Sequence, residues 1–345
     1  MENLNQKAGC LVTGVAGFVG SHLAERLLSE DFFVVGVDNF FSGHRENLAS
    51  LQDHPAFVFH ERSITESGLL HDLKGRYPGL EACFHLAAIV SVPYSVEHPE
   101  ATMEVNYRAT VHLLREAEQL GFNAFAFAGS AAEYGDDQRL PLLEAYATAN
   151  TRHLSPYGRA KYLASREAAM SPCGVALRCF NIYGPRQDPG SPYSGVISRF
   201  VTMALAREPL IIFGDGRQAR DFIYVSDVVE AYLRAANLCR QGRGGEERRY
   251  NIGTGVSTSI LELAETLNEL VGNPKELIYC PERSGDIRFS LASVEAFRTV
   301  MRWEPRVSLR EGLGHTCEWA RGGTPKRFTA ESAEDAEKKR GKTLR

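Results

Sequence analysis

The chain has 345 residues, 43% of them hydrophobic and 24% charged, an ordinary globular balance that suits one large α/β unit or two intimate subdomains. The formal net charge of −4 excludes a general polyanion-binding surface, and no stretch approaches an apolar membrane span. The N-terminal residues lack the apolar core of a signal peptide, so a cytoplasmic protein with neither nucleic acid nor membrane as partner is expected.

Cys10-Leu11-Val12 is an apolar run long enough for one buried strand. Gly14, Gly17 and Gly20 follow at G-x-x-G-x-x-G spacing, and Leu23, Ala24, Leu27 and Leu28 then recur at helical spacing. Strand, glycine turn and helix make the phosphate-binding start of a dinucleotide-binding unit. Gly14 allows a tight turn, Gly17 lets backbone amides approach a pyrophosphate, and Gly20 lets the helix pack close to the strand. The helix N-terminus adds partial positive charge. Three glycines alone fit an ordinary strand-to-helix turn as well, and the next strand decides between the two. It ends at Asp38, 18 residues after Gly20. A carboxylate there hydrogen-bonds the adenosine ribose hydroxyls and repels a 2′-phosphate. The expected cofactor is therefore NAD rather than NADP, with Arg45 the nearby cation that speaks for the phosphate.

Residues 57–59 read as a third strand leading to Ser63 and Ile64. Residues 81–88 read as a fourth, whose small Ala87 and Ala88 leave room for a cofactor. A helix is expected over about 99–120, a fifth strand over 124–128 ending at Gly129-Ser130, a helix from Ser155-Pro156, and a sixth strand over 175–180. This alternation predicts a Rossmann-type, doubly wound parallel sheet. After Asn181 the pairs Gly184-Pro185, Pro189-Gly190 and Ser191-Pro192 crowd together. The expected division is a nucleotide-binding domain over 1–181 and a smaller α/β substrate-binding subdomain over 182–321, with 221–225 and 250–253 returning to the main sheet. The charged tail, 322–345, is expected to be disordered. The seven cysteines form no C-x-x-C pair, and the histidines lack ligand spacing. Buried reduced thiols and no metal site are expected.

Tyr157 and Lys161 stand at i, i+4, on one helix face. A phenol near its usual pKa of about 10 is a poor base at neutral pH. A neighbouring ammonium and a positive nicotinamide both favour the phenolate. Tyr157 can then take a proton from a substrate hydroxyl while the carbon loses hydride. Ser130, at a strand end, can share that hydrogen bond, and Lys161 can hold the nicotinamide ribose. Tyr-x-x-x-Lys by itself is a common surface pair; behind a dinucleotide turn it reads as chemistry. His85 reads as a packed strand-end residue, Glu133 as facing away from the substrate, and Tyr94 as a surface position.

The glycine turn, Asp38-Asn39, His85-Leu86-Ala87-Ala88, Asn106, Ser130-x-x-x-Tyr134-Gly135, Tyr157-x-x-x-Lys161 and Arg178-x-Phe180-Asn181-x-Tyr183-Gly184-Pro185-Arg186 together resemble extended short-chain dehydrogenases. Gly214-Asp215-Gly216, Arg220-Asp221-Phe222, Asp227 and Arg283-x-Gly-Asp286 extend the resemblance over about residues 8 to 320. Ser91-Val92-Pro93 and Arg186-Gln187-Asp188-Pro189 point to the branch of bacterial UDP-sugar 4-epimerases, including those acting on N-acetylhexosamines. The resemblance implies that Phe18 and Val19 offer amides to the pyrophosphate. Asp38 would hold the ribose with Asn39, Ser42 and Gly43 beside it. Ser63 and Ile64 would flank adenine, although Ser63 stands where the family usually has Asp. Leu86, Ala87, Ala88, Asn106 and Phe180 would line the rest of the cofactor site. Asn181, Val196, Arg220 and Arg283 would hold the nucleotide diphosphate, with Ser91 and Asp286 also on the substrate side.

The implied reaction is reversible inversion at C4 of a UDP-hexose. A 4,6-dehydratase or UDP-glucuronate decarboxylase usually carries an acid where this chain has Ala131-Ala132, and a UDP-glucuronate 4-epimerase remains an alternative. A non-catalytic NAD-binding regulator is disfavoured by the intact Ser130, Tyr157 and Lys161. The family also implies a homodimer through the helices at 99–120 and 156–170, with Val105, Ala109, Leu113, Ala164 and Ala168 as its surface. It places a gate beside the sugar's C2 substituent seven residues after Arg283, at Ser290; the competing reading makes Ser290 a helix cap or a solvent-facing residue.

Overall fold

The computed structural model describes residues 7–190, 195–242, 248–282 and 287–322. Arg283, Asp286, Ser191-Pro192 and the tail beyond residue 322 lie outside the described residues. The apolar runs form a seven-stranded, all-parallel sheet: β1 (Gly9–Thr13), β2 (Phe33–Asp38), β3 (Phe57–Glu61), β4 (Leu80–His85), β5 (Ala124–Ser130), β6 (Gly174–Cys179) and β7 (Arg249–Ile252). Every residue of β1, β2 and β6 is buried, as parallel strands covered on both faces require.

The spatial order is β7-β6-β5-β4-β1-β2-β3. The order reverses between β1 and β4, and ligands of open α/β sheets sit at the carboxyl ends of the strands flanking such a switch point. Gly14, Asp38, Leu86, Ser130 and Cys179 all end or directly follow strands on that rim. Helices Phe18–Ser29 and Val225–Arg240 pack against each other, and Leu23, Leu27, Val228 and Ala235 share the main core with the sheet.

The helix expected over 99–120 is broken in the middle. Pro99–Met103 and Thr110–Gln119 are α-helical, and Glu104–Ala109 between them is a π turn. The widened turn carries Asn106, whose amide grips the loop after β4. Such turns often sit at functional sites.

The chain after Asn181 has its own core, including Phe200, Leu210, Phe222, Leu263 and Leu313. The expected return of 250–253 to the main sheet is seen as β7. That of 221–225 is not: Phe222–Tyr224 pairs in parallel with Asn181–Tyr183 in a separate two-stranded sheet. Ala219–Arg220 lies between Thr258–Ser259 and Phe289–Ser290 in a small three-stranded sheet.

Two further expectations change. Ala109, Leu113, Ala164 and Ala168 are buried within this one chain, packed into the main core, and Val105 lines a cavity at the carboxyl rim of the sheet. None of these offers an outer surface for a second copy. Small apolar residues at helical spacing served the helix-to-sheet side instead. No helix among the described residues is long and apolar enough to cross a membrane. None of the seven cysteines is in a disulfide, and all but the half-buried Cys280 are buried.

Candidate active site

A cavity of about 870 Å3 runs along the carboxyl rim of the sheet, from Ser63 and Ile64 at one end to Tyr157 and Lys161 at the other. The glycine turn forms its floor. Gly14 has φ +72°, a backbone conformation open to glycine, and a Cβ there would sit 2.7 Å from the Ala87 nitrogen. A Cβ on Gly20 would collide with the Gly14 carbonyl oxygen. Gly20→Val is therefore expected to abolish cofactor retention, read as nucleotide released on denaturing the purified protein; retention at wild-type level would remove Gly20 from the cradle. Gly17, the N-cap of Phe18–Ser29, provides no side-chain cap, so the first-turn amides at Phe18, Val19 and Gly20 are left for a ligand on the cavity side.

Asp38 ends β2. Its Oδ1 accepts from the Phe40 amide at 2.8 Å and its Oδ2 from the Ala16 amide at 3.0 Å. Burial raises its carboxyl above the usual range, and those amides oppose the shift. The carboxylate is fixed in direction, with lone pairs left over for vicinal hydroxyls. Arg45, the cation that spoke for NADP, is bound elsewhere: it pairs with Glu61 at 2.7 Å and lies over the Phe40 ring at 4.2 Å. Asn39, Ser42, Gly43, Leu86, Ala87, Ala88 and Ser91 also line the cavity. Ser91 additionally caps the helix Val92–Glu97 by accepting from the Tyr94 amide.

Asn106 and Phe180 stand back from the cavity wall. Asn106 exchanges two hydrogen bonds of 2.8 Å with the backbone of Ile89, holding the loop that forms the wall. Phe180 packs with Tyr134 and Tyr162 in a separate cluster. His85 is fully buried between the hydroxyls of Thr13 (2.7 Å) and Thr110 (2.9 Å), and burial lowers its pKa to about 3, so it is a neutral structural group. Tyr94 is more than a surface position: it lines the cavity beside Phe41, 5.6 Å away ring to ring.

The reactive end is built by β5 and the helix Pro156–Met170. Ser155 caps that helix by accepting from the Gly158 amide. The Ser130 hydroxyl, whose Oγ accepts from the Ala132 amide at 3.2 Å, stands by the Tyr157 phenol and favours its ionised form. Lys161, almost wholly buried, donates to the Ala128 carbonyl at 2.7 Å. Its ammonium lies 6.0 Å from the Tyr157 ring centroid, with its hydrogen bond made to backbone rather than to the phenol. Burial pushes the Tyr157 phenol up to about 12, and the Ser130 hydroxyl opposes the rise. Burial also lowers Lys161 to about 8, against the field of Glu133.

Glu133 does face away from the cavity, and its carboxylate is fully used. Oε1 accepts from the Ser130 amide at 3.0 Å, closing a capping box with Ser130. Oε2 accepts from Arg178 Nε at 2.6 Å, with both side chains wholly buried. Of the residues expected on the substrate side, Asn181 is exposed and Val196 opens the helix Val196–Leu205. Arg220 is half-buried, and Ser290 lies opposite it in the strand register. Ser290 is buried and the N-cap of the next helix is Val294, so it neither caps that helix nor faces solvent.

The model of the NAD dependent epimerase/dehydratase family matches residues 10–253. This chain belongs to that family. The family's cofactor is NAD, and the residues here fit it: the glycine floor, the open first-turn amides and the anchored Asp38 lie along one cavity. Among relatives, a UDP-glucose 4-epimerase of Mycolicibacterium smegmatis is 38% identical over 90% of this chain and 98% of that protein. The crystal structure of UDP-glucose 4-epimerase from Thermotoga maritima with UDP-glucose superposes with a TM-score of 0.82 at 36% identity, over 91% of this chain and 99% of that one. A UDP-N-acetylglucosamine 4-epimerase from Methanobrevibacter ruminantium, in complex with UDP-N-acetylmuramic acid, gives 0.82 at 32%, over 92% and 98%. UDP-glucuronic acid decarboxylases of Arabidopsis thaliana also match, at 31–32% identity over 88% of this chain and 66–67% of theirs. The epimerase/dehydratase class is thus established.

Within this epimerase/dehydratase, sequence reading overlooked several cavity residues. His44, Arg186 and Asp188 reach it from two different loops. A positive φ at Arg186 is a backbone feature that no residue type signals.

Proposed function

We propose that this protein is a UDP-hexose 4-epimerase acting on UDP-glucose and UDP-galactose and on their N-acetylated counterparts. The observation that carries the reading is the reactive end itself: a Ser130–Tyr157 pair beside the nucleotide cavity, with the adjoining carboxylate, Glu133, locked into Arg178. A base can act on a sugar hydroxyl there, but Ala131 and Ala132 supply no acid for elimination.

In this reading Tyr157 takes the C4 hydroxyl proton as the C4–H bond gives up hydride, leaving a 4-keto sugar. Bound NAD+ supplies the hydride acceptor and afterwards the donor. Ser130 orients the hydroxyl, and Lys161 fixes the ribose end of the site. Once the ketone has turned its other face, Tyr157 returns the proton to the C4 oxygen, so no net redox change results. Asn181, Val196 and Arg220, with Arg283, hold the diphosphate far from the reacting carbon. The sugar can turn while the nucleotide stays anchored. Proton NMR of the full chain with UDP-glucose, UDP-N-acetylglucosamine and UDP-glucuronate tests this. Interconversion of the 4-epimers without accumulated NADH is expected for the first two. Release of CO2 from UDP-glucuronate would place the protein with the decarboxylases.

Ser290 sets the breadth of substrate. A small residue there, beside Arg220, leaves space for an acetamido group. Ser290→Tyr is expected to lower kcat/KM for UDP-N-acetylglucosamine by about 10–200-fold, the range of a steric pocket change, while sparing UDP-glucose. Equal effects on both sugars would move the gate elsewhere. A homodimer remains part of the reading. Light scattering at micromolar concentration is expected to give twice the chain mass; a monomer overturns it.

A further inference from the structure

The segment after Tyr183 returns from the substrate lobe to the nucleotide turn. His22 Nε2 donates to the Pro185 carbonyl at 3.0 Å, and Arg186 Nη2 donates to Glu25 Oε1 at 2.5 Å. Both partners lie on the helix Phe18–Ser29, whose N-terminus faces the cavity. Two residues further on, Asp188 Oδ2 lies 3.2 Å from His44 Nε2, on the loop after β2. The segment is therefore pinned to the helix after the glycine turn and to the loop after β2, both of which line the cavity.

Arg186 is the odd member. Its φ is +68°, in the left-handed region that a side chain other than glycine seldom adopts. Strain of that kind persists where the surroundings impose it, and it gathers at ligand sites. One edge of its guanidinium is occupied by Glu25. Burial would raise the Glu25 carboxyl, but Arg186 and Ser50 hold it below its usual range, so it is an anion. The other edge is unused: Nη1 is buried and has no hydrogen-bond partner, and Arg186 lines the same cavity as Gly17, Phe18 and Val19. A buried donor of a charged group is costly unless an acceptor meets it. Among the described residues no carboxylate takes this edge, and the first-turn amides that line the same cavity also lack a side-chain cap.

We propose that Arg186 is a ligand of the cofactor's diphosphate, closing over the anion from the side opposite the glycine turn. Arginine suits the role, since its planar fork can hold Glu25 with one edge and phosphate oxygens with the other. The turn at 184–186 thus couples the two lobes: the chain that carries Asn181 toward the substrate also clamps the cofactor. A charge at this place acts on the diphosphate and not on the adenosine, which separates it from a residue that only holds the fold.

The test is calorimetric titration of the nucleotide-free full chain with ADP and with adenosine. Arg186→Gln is expected to weaken ADP binding about 10–100-fold and to leave adenosine within about twofold, with Arg186→Lys recovering part of the loss. The salt dependence of ADP binding should flatten in Arg186→Gln. Glu25→Gln, which breaks the same ion pair while leaving the guanidinium, is expected to keep ADP affinity within about threefold or to raise it. Unchanged ADP affinity in Arg186→Gln overturns the proposal. So do equal losses for ADP and adenosine, or a loss in Glu25→Gln as large as in Arg186→Gln, because each would make the pair a brace of the fold.

Discussion

Replacing Tyr157 by Phe is expected to leave a folded protein that still binds NAD and turns over roughly 10²–10⁴-fold more slowly, the contribution of one positioned acid–base group. Only the phenol oxygen is removed. The ring stays in place at the start of Pro156–Met170, and Lys161 keeps its bond to the Ala128 carbonyl. The substitution therefore separates chemistry from binding, and cofactor affinity is the control that shows it. Activity within tenfold of the parent would sink the assignment of the base. The pH profile of Ser130→Ala carries a second, signed expectation. Burial holds the phenol up at about 12, and the Ser130 hydroxyl opposes that shift by favouring the phenolate. Removing the hydroxyl raises the phenol further. The limb of the profile on which activity grows with pH should then move to higher pH, and a shift to lower pH would exclude Ser130 as the group that eases ionisation.

Local signals explain how much of this was legible in the sequence. The glycine turn and Asp38 were readable because each function depends on one short stretch: a missing Cβ, an uncapped helix start, a carboxylate at a strand end. Tyr157 and Lys161 share a helix face, so their proximity follows from spacing, but their electrostatics do not. What Lys161 touches is fixed by Ala128 on another strand, and desolvation proved the larger influence on the phenol. Ala109 and Ala168 show the opposite failure, in which small apolar residues on amphipathic helices fit both a core and an interface. Only the position of the sheet decides between them. Asn106 was placed in the cofactor wall when it acts one step behind it, through Ile89, from a π turn that no local pattern announced.

Glu133 and Arg178 were the least legible pair, since they stand 45 residues apart and meet only because β5 and β6 are neighbours. Glu133→Gln is expected to destabilise the protein by about 3–5 kcal/mol, the cost of leaving a buried charge uncompensated. Burial alone would weaken the Arg178 charge, but Glu133 and Tyr134 outweigh it and hold the guanidinium above its usual pKa. Without the carboxylate, that cation keeps the Glu144 carbonyl at 2.9 Å and the Tyr134 hydroxyl at 3.4 Å, while its Nη2 already lacks a partner. Neutral acceptors do not balance a full charge in a low-dielectric core. Urea unfolding followed by the fluorescence of Trp303, buried against Phe297 at 5.2 Å, reads the loss. The apolar double replacement Glu133→Val with Arg178→Met removes both charges at once and should recover most of it, returning to within about 2 kcal/mol of the parent. Its kcat should nevertheless stay low. Glu133 Oε1 also fixes the Ser130 amide, and so the direction in which the Ser130 hydroxyl meets Tyr157. Stability regained without activity would show that the ion pair positions Ser130. Recovery of both would show that the pair only fills the core, and a loss below about 1 kcal/mol in Glu133→Gln would mean that water reaches the pair.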